Sequence, residues 1–255
     1  MQLAAAKASS RASGSPRLPF EQRTLIARLF VGPPATISYR IRKSLSEPNR
    51  SVFVNCPFDK DFQPCFEAII FTIAACGYRV RCALEDDDGA NLRFDKLVQL
   101  IRQSERTIHD LSRVELSKAA LPRFNMPFEL GLAMGAKRFG NADQRKKTAL
   151  VMVRQKFALP RYLSDLAGGD QHAHGNNRSK VIEIVSRYLH KTPEGGPLPG
   201  PQWLASSFAL FKEKVLPEMA AAARRTIAET DSIDDYRVYV DFVNAFLIEA
   251  KEAGG

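Results

Sequence analysis

The chain has 255 residues, 45% hydrophobic and 25% charged, with a formal net charge of +9. This composition suits a globular protein with one large domain and an appendage, and it excludes a collagen-like or wholly disordered chain. No run of about 18 apolar residues is present, so neither a membrane-spanning helix nor a membrane partner is expected.

The charge is unevenly placed. Residues 1–50 carry nine basic side chains against Glu21 and Glu47, which leaves +2 for the rest of the chain. The basic character belongs to a Ser-, Ala-, Pro- and Arg-rich leader over residues 1–47, and a nucleic-acid partner is not expected. Gly14, Pro16, Pro19, Pro33 and Pro34 interrupt the amphipathic pattern of a transit peptide, so the leader reads as disordered and dispensable for folding. The four cysteines, Cys56, Cys65, Cys76 and Cys82, form no C-x-x-C pair. They read as buried thiols of a reducing, cytoplasmic compartment, with no metal site.

From residue 48 the pattern becomes regular. "SVFVNCPF" (51–58) is a β-branched and aromatic strand, and Phe62, Cys65, Phe66, Ile69, Ile70 and Ile73 then recur at helical spacing up to Gly77. "YRVRCALE" (78–85) alternates as a second strand, "EDDDGAN" is a loop, and Leu92, Phe94, Leu97, Val98, Leu100 and Ile101 outline a second helix. "RTIHDLS" (106–112) is a third strand, a helix follows over about 127–139, and "KTALVMVR" (147–154) is a fourth strand. A loop with "HAHGNN" leads to a helix near 178–190. Strands alternating with helices predict a doubly wound parallel α/β sheet over 48–191. Such sheets hold ligands outside the carboxyl ends of their strands. "TPEGGPLPGPQ" (192–202) reads as a linker, and 203–255 as a helical C-terminal appendage whose apolar faces must cover the α/β domain or a second subunit. A homo-oligomer is the expectation.

Asp110 stands at the carboxyl end of the third strand, with loop capping as its plainer role. His109 alternates to the other side and reads as a packed core histidine. Pro127 suits the first helical position, which makes Glu129 the third residue of that helix. There it would cap and complement the dipole, and it would stay ionised as an acceptor or nucleophile, not a proton donor. Gly131 and Gly135 each cost about 1 kcal/mol relative to Ala within a helix. Packing onto the sheet would explain Gly135, and a sugar or base lying close would explain Gly131. The acidic run 85–88 could hold Mg²⁺, and "HAH" (172–174) a metal, but a solvated loop and a floppy surface loop are the readings taken. P-loop and Rossmann phosphate fingerprints are absent.

The order strand, "IHDLS", loop, "N-x-P-x-E-L-G" resembles the nucleoside 2-deoxyribosyltransferases and the related TIR (Toll/interleukin-1 receptor) domains. "VFVNCPFD", "RCALE", "IHDLS" and "LPRFNMPFELG" look like a group of bacterial TIR-like proteins, and the resemblance covers about residues 51–155. It implies a flavodoxin-like fold and a nucleotide ligand. It also implies that Glu129 binds the ribose or attacks the anomeric carbon, and that Asp110 contacts the base. It carries Phe58 and Asp59 to the loop that closes over the ligand, and places Asn55, Asn125 and Gly131 with them around the substrate. The implied activity is an N-glycosidase, with NAD as substrate and no cofactor, in bacterial defence or signalling. The alternative is a non-catalytic nucleotide-sensing or protein-interaction module. "VFVNCPFD" departs from animal TIR domains, and no BB-loop sequence matches "EDDDGAN", which argues against adaptor-type signalling more than against nucleotide binding.

Overall fold

The computed structural model describes residues 50–85, 89, 92–113, 124–156, 161–166, 169–191 and 197–254. The leader 1–47, the acidic residues 86–88 and the first part of the linker, 192–196, lie outside them.

Five strands form one all-parallel sheet: β1 (Ser51–Asn55), β2 (Arg79–Arg81), β3 (Arg106–Asp110), β4 (Thr148–Val153) and β5 (Gln171–Ala173). Their spatial order is β2-β1-β3-β4-β5. β1 and β3 are fully buried because both faces of a parallel sheet are covered. The pleat splits β1 between the two faces. Val52 and Val54 join the core under α1 (Gln63–Ala75) and α5 (Arg178–His190), while Phe53 points to α2 (Arg93–Arg102) and α3 (Asn125–Phe139). The register sets Asn55 beside His109 and Asp110 beside Met152, so the strand ends form one rim.

A short α4 (Ala142–Arg145) precedes β4. The C-terminal region is α6 (Pro201–Leu210), a π-helical turn (Phe211–Val215), α7 (Leu216–Ala222) and α8 (Tyr236–Gly254). These helices pack on α1, and Leu204, Phe208, Phe211, Val215, Tyr239, Val243 and Phe246 belong to the same buried cluster as Phe66, Ile70 and Phe71. The ring of Phe71 lies 5.4 Å from Phe208, 5.9 Å from Phe211 and 6.0 Å from Phe246. Helix α1 is therefore covered by the sheet on one side and by these helices on the other. This accounts for its apolar sequence all round, which is the mark of a buried helix. The apolar surface that motivated the homo-oligomer is largely satisfied within one chain.

Several elements differ from expectation. β2 is three residues long, β1 stops at Asn55 before Cys56, Pro57 and Phe58, β3 stops at Asp110, and β4 runs from Thr148 to Val153. Within α2 only Leu97, Leu100 and Ile101 are buried; Leu92, Phe94 and Val98 are exposed. Residues 171–173, expected in a floppy loop, are the edge strand β5 and pair with β4. Among the described residues no helix is long and apolar enough to cross a membrane.

Candidate functional site

β1 continues into α1 on one side of the sheet, and β3 is followed by α3 on the other. The chain thus parts between neighbouring strands and leaves a crevice at their carboxyl ends. Asn55 ties its walls together. Its Nδ2 donates to the Met126 carbonyl at 2.9 Å and to His109 Nδ1 at 3.0 Å, fixing the start of α3 against β1. With Nδ1 accepting, His109 carries its proton on Nε2. Burial lowers the pKa of this ring to about 3, so His109 is the neutral core residue expected.

Helix α3 begins earlier than Pro127. Phe124 already has helical backbone geometry, its carbonyl accepts the Phe128 N–H at 3.0 Å, and Pro127 is the third residue of the helix. Proline is tolerated there because first-turn amides have no intrahelical partner to lose. Glu129 becomes the fifth residue and no acidic side chain lies in the first turn, so the capping role disappears. The expectation of a firmly ionised glutamate needs correcting as well. Burial pushes the Glu129 carboxyl up to about 7, and the Arg93 guanidinium opposes this only in part. Beyond the first turn the helix dipole no longer outweighs desolvation.

Cys56 follows the end of β1. Burial raises its thiol well above the ordinary range, and the charges of Asp110, Cys82, Glu129 and Asp59 add to that rise, so these carboxylates lie within electrostatic reach of the strand end.

Asp110 is fully buried. Its Oδ1 accepts the Ser112 N–H at 2.9 Å, and its Oδ2 lies 2.9 Å from His174 Nε2. No directed hydrogen bond reaches Oδ2 from the described residues, although that contact is short. Ser112 Oγ also lies 2.9 Å from His174 Nε2, and His174 Nδ1 accepts the Asn176 N–H at 3.0 Å. With Nδ1 accepting, the ring proton sits on Nε2 and points at Ser112 Oγ, leaving Oδ2 close but off its axis. This is not a hydrolytic Ser-His-Asp triad, in which serine and aspartate engage opposite ring nitrogens.

The remaining expected residues scatter. Phe58 is half-buried and packs edge-on against Phe66 at 5.2 Å, on the α1 side of the sheet. Asp59 caps the turn into α1 by accepting from the Phe62 N–H at 3.0 Å, and it pairs with Arg113 at 3.3 Å. Asn125 is exposed at the first position of α3. Gly131 is exposed, and a Cβ built on it or on Gly135 would meet nothing within 4 Å. Packing on the sheet therefore does not explain Gly135, and the space over both glycines is open. Near Glu129, Phe94 and Phe128 are about half exposed with ring centroids 6.1 Å apart.

Ser112 and Arg93 were not singled out from the sequence, and His174 was considered there only as half of a possible metal-binding pair. The 620 Å³ cleft beside β4, β5 and α5, edged by Lys156, Lys180, Arg187 and Lys191, lies away from these carboxylates. Among the described residues no cluster of metal-binding side chains occurs.

No family model matches the chain, and no curated protein or solved structure matches it significantly.

Proposed function

We propose that this chain is a nucleotide N-glycosidase that cleaves the ribose–base bond of NAD or a related nucleotide, with Glu129 as its catalytic carboxylate. The observation that carries this reading is Glu129 itself. It is a half-buried carboxyl raised to about 7 by burial, within electrostatic reach of Arg93, and its charge, like that of Asp110, bears on Cys56 at the end of β1. A perturbed carboxyl beside the strand ends of a parallel sheet supports a site assignment. The strand order, which is that of flavodoxin-like sheets, supports the same reading.

The chemistry follows from charge. Breaking an N-glycosidic bond passes through an oxocarbenium-like state that a carboxylate beside the sugar stabilises. From NAD the nicotinamide leaves as a neutral ring, so no general acid is required. At a pKa of about 7, a large share of Glu129 is ionised at neutral pH and available for this role. An ordinary nucleoside base needs a proton as it leaves, which would require Asp110 to act as the acid, so NAD-like substrates are preferred. The four free, buried cysteines fit the reducing, cytoplasmic setting in which such nucleotides occur.

The test is incubation of the purified protein with NAD and with a panel of deoxynucleosides, followed by chromatography of the products. Release of nicotinamide or free base that is lost in Glu129→Gln supports the reading. A second reading, a non-catalytic interaction module, is favoured by the exposed side chains of Leu92, Phe94, Phe124 and Phe128 beside the open face of α3. Nucleotide binding without any cleavage would select it.

A further inference from the structure

The turn after β5 is unusual in its backbone. Gly175 and Asn176 both have positive φ, +60° and +56°. For Asn176 this is the left-handed region, which asparagine tolerates better than other side chains, and here surrounding contacts fix it. The contacts are present. The His174 N–H donates to the Val153 carbonyl at 3.1 Å and the Gly175 N–H to the Arg154 carbonyl at 2.8 Å, which extends the β4 pairing past the end of β5. The turn then brings the Asn176 N–H back onto His174 Nδ1, and Asn176 Oδ1 lies 3.6 Å from Cys65 Sγ on α1. Phe62 closes the ring from the side, edge-on at 5.8 Å.

One consequence is a fixed tautomer. An N–H pointing at Nδ1 leaves that nitrogen no room for a proton, so the ring proton sits on Nε2. Nε2 lies 2.9 Å from both Ser112 Oγ and Asp110 Oδ2. Asp110 Oδ1 accepts the Ser112 N–H. One carboxylate oxygen is thereby held by the backbone of Ser112, and the other lies beside the ring. Oδ2 remains without a directed donor in a fully buried position, and buried acceptors of that kind are rare without a ligand or a functional reason.

We propose that His174 is a positioning residue. Its imidazole, locked as the Nε2–H tautomer by the turn at Gly175 and Asn176, holds Ser112 through Oγ and so fixes the Asp110 carboxylate, whose Oδ1 accepts the Ser112 N–H. This deepens the N-glycosidase reading and rests on it for the catalytic consequence. The ring geometry itself can be measured without any substrate. The burial of a histidine in an otherwise exposed turn follows from this task.

Two experiments separate the parts. Long-range ¹H–¹⁵N NMR of the full chain reads the four histidine rings, with His174 assigned by its disappearance in His174→Gln. The expected result is a neutral ring protonated at Nε2, whose Nε2 resonance moves in Asp110→Asn while the His172 and His190 signals stay in place. An Nδ1–H tautomer, or no response to Asp110→Asn, overturns the proposal. In turnover assays His174→Phe keeps the contact with Phe62 but loses both nitrogens, and kcat should fall at least about tenfold with KM changed by less than about threefold. His174→Gln can still donate and accept, and it should recover most of that loss. Equal kcat in the Phe and Gln variants contradicts the positioning role. Absence of turnover in the wild-type protein would remove the N-glycosidase reading instead, and the NMR result would still decide the geometry.

Discussion

Lys212 in the π-helical turn lies 2.8 Å from Glu67 Oε2 on α1, and its ammonium also sits 5.2 Å from the Tyr239 ring centroid. Glu67 is 5% exposed, so this contact neutralises a carboxylate in the middle of the helix that the C-terminal region covers. Lys212→Met should destabilise the fold by about 3 kcal/mol, because it leaves a buried charge without its partner. Replacing both residues with methionine should restore most of that loss. Urea unfolding of the two variants checks the pair, and equal stability of Lys212→Met and wild type would show that the contact does not hold the layers together.

The same interface predicts that the C-terminal helices are part of the core. Phe211 is fully buried and touches Phe71, Tyr239 and Phe246. Phe211→Ala should cost about 3–5 kcal/mol, the usual range for removing a buried aromatic ring. A chain ending at Gly200 should lose cooperative unfolding altogether, since the outer face of α1 would be exposed to water. Thermal unfolding followed by circular dichroism reads both outcomes.

Asn55 offers a smaller and more local test. Asn55→Ala leaves the Met126 carbonyl and His109 Nδ1 without their shared donor, and should cost about 1–3 kcal/mol. Because that donor anchors the start of α3, protection of the α3 amides against hydrogen exchange should fall more than protection of the α1 amides. A uniform loss across both helices would argue that Asn55 does not anchor α3.

Glu129 also makes a prediction about pH. Its folded pKa, about 7, lies above the ordinary 4.5, so the folded state binds its proton more tightly than the unfolded chain does. The resulting contribution to stability is complete below about pH 4.5 and is lost as pH rises through about 7. Relative to Glu129→Gln, the wild-type protein should therefore weaken between those values and run parallel above them. Denaturant titrations at a series of pH values measure the difference, in which groups common to both proteins cancel. A flat difference would contradict burial as the cause of the shift.

The sheet was legible because its strands carry their own signal. "SVFVN" and "RTIHD" are β-branched runs closed by polar loops, and the alternation with helices implied parallel strands. Asp110 and Glu129 could be proposed from their places in that pattern. The start of α3 was hidden because Phe124 is not a capping residue and Pro127 is a stronger local marker, although tertiary contacts set the boundary. β5 was hidden because three residues show too little alternation to distinguish an edge strand from a loop. His174 was lost with it. The task of the C-terminal helices could not be read from their apolar faces alone, since the covering of α1 appears only once the chain is folded.

The central claim is that Glu129 stabilises a developing oxocarbenium ion, and Glu129→Gln tests it most directly. The substitution keeps the size of the side chain and removes its charge. Cleavage of NAD, or of whichever nucleotide in the panel is turned over fastest, should fall at least about 100-fold, equivalent to roughly 2.7 kcal/mol of transition-state stabilisation, while the variant still unfolds cooperatively at a midpoint no lower than that of wild type. Turnover by Glu129→Gln at the wild-type rate would contradict the account.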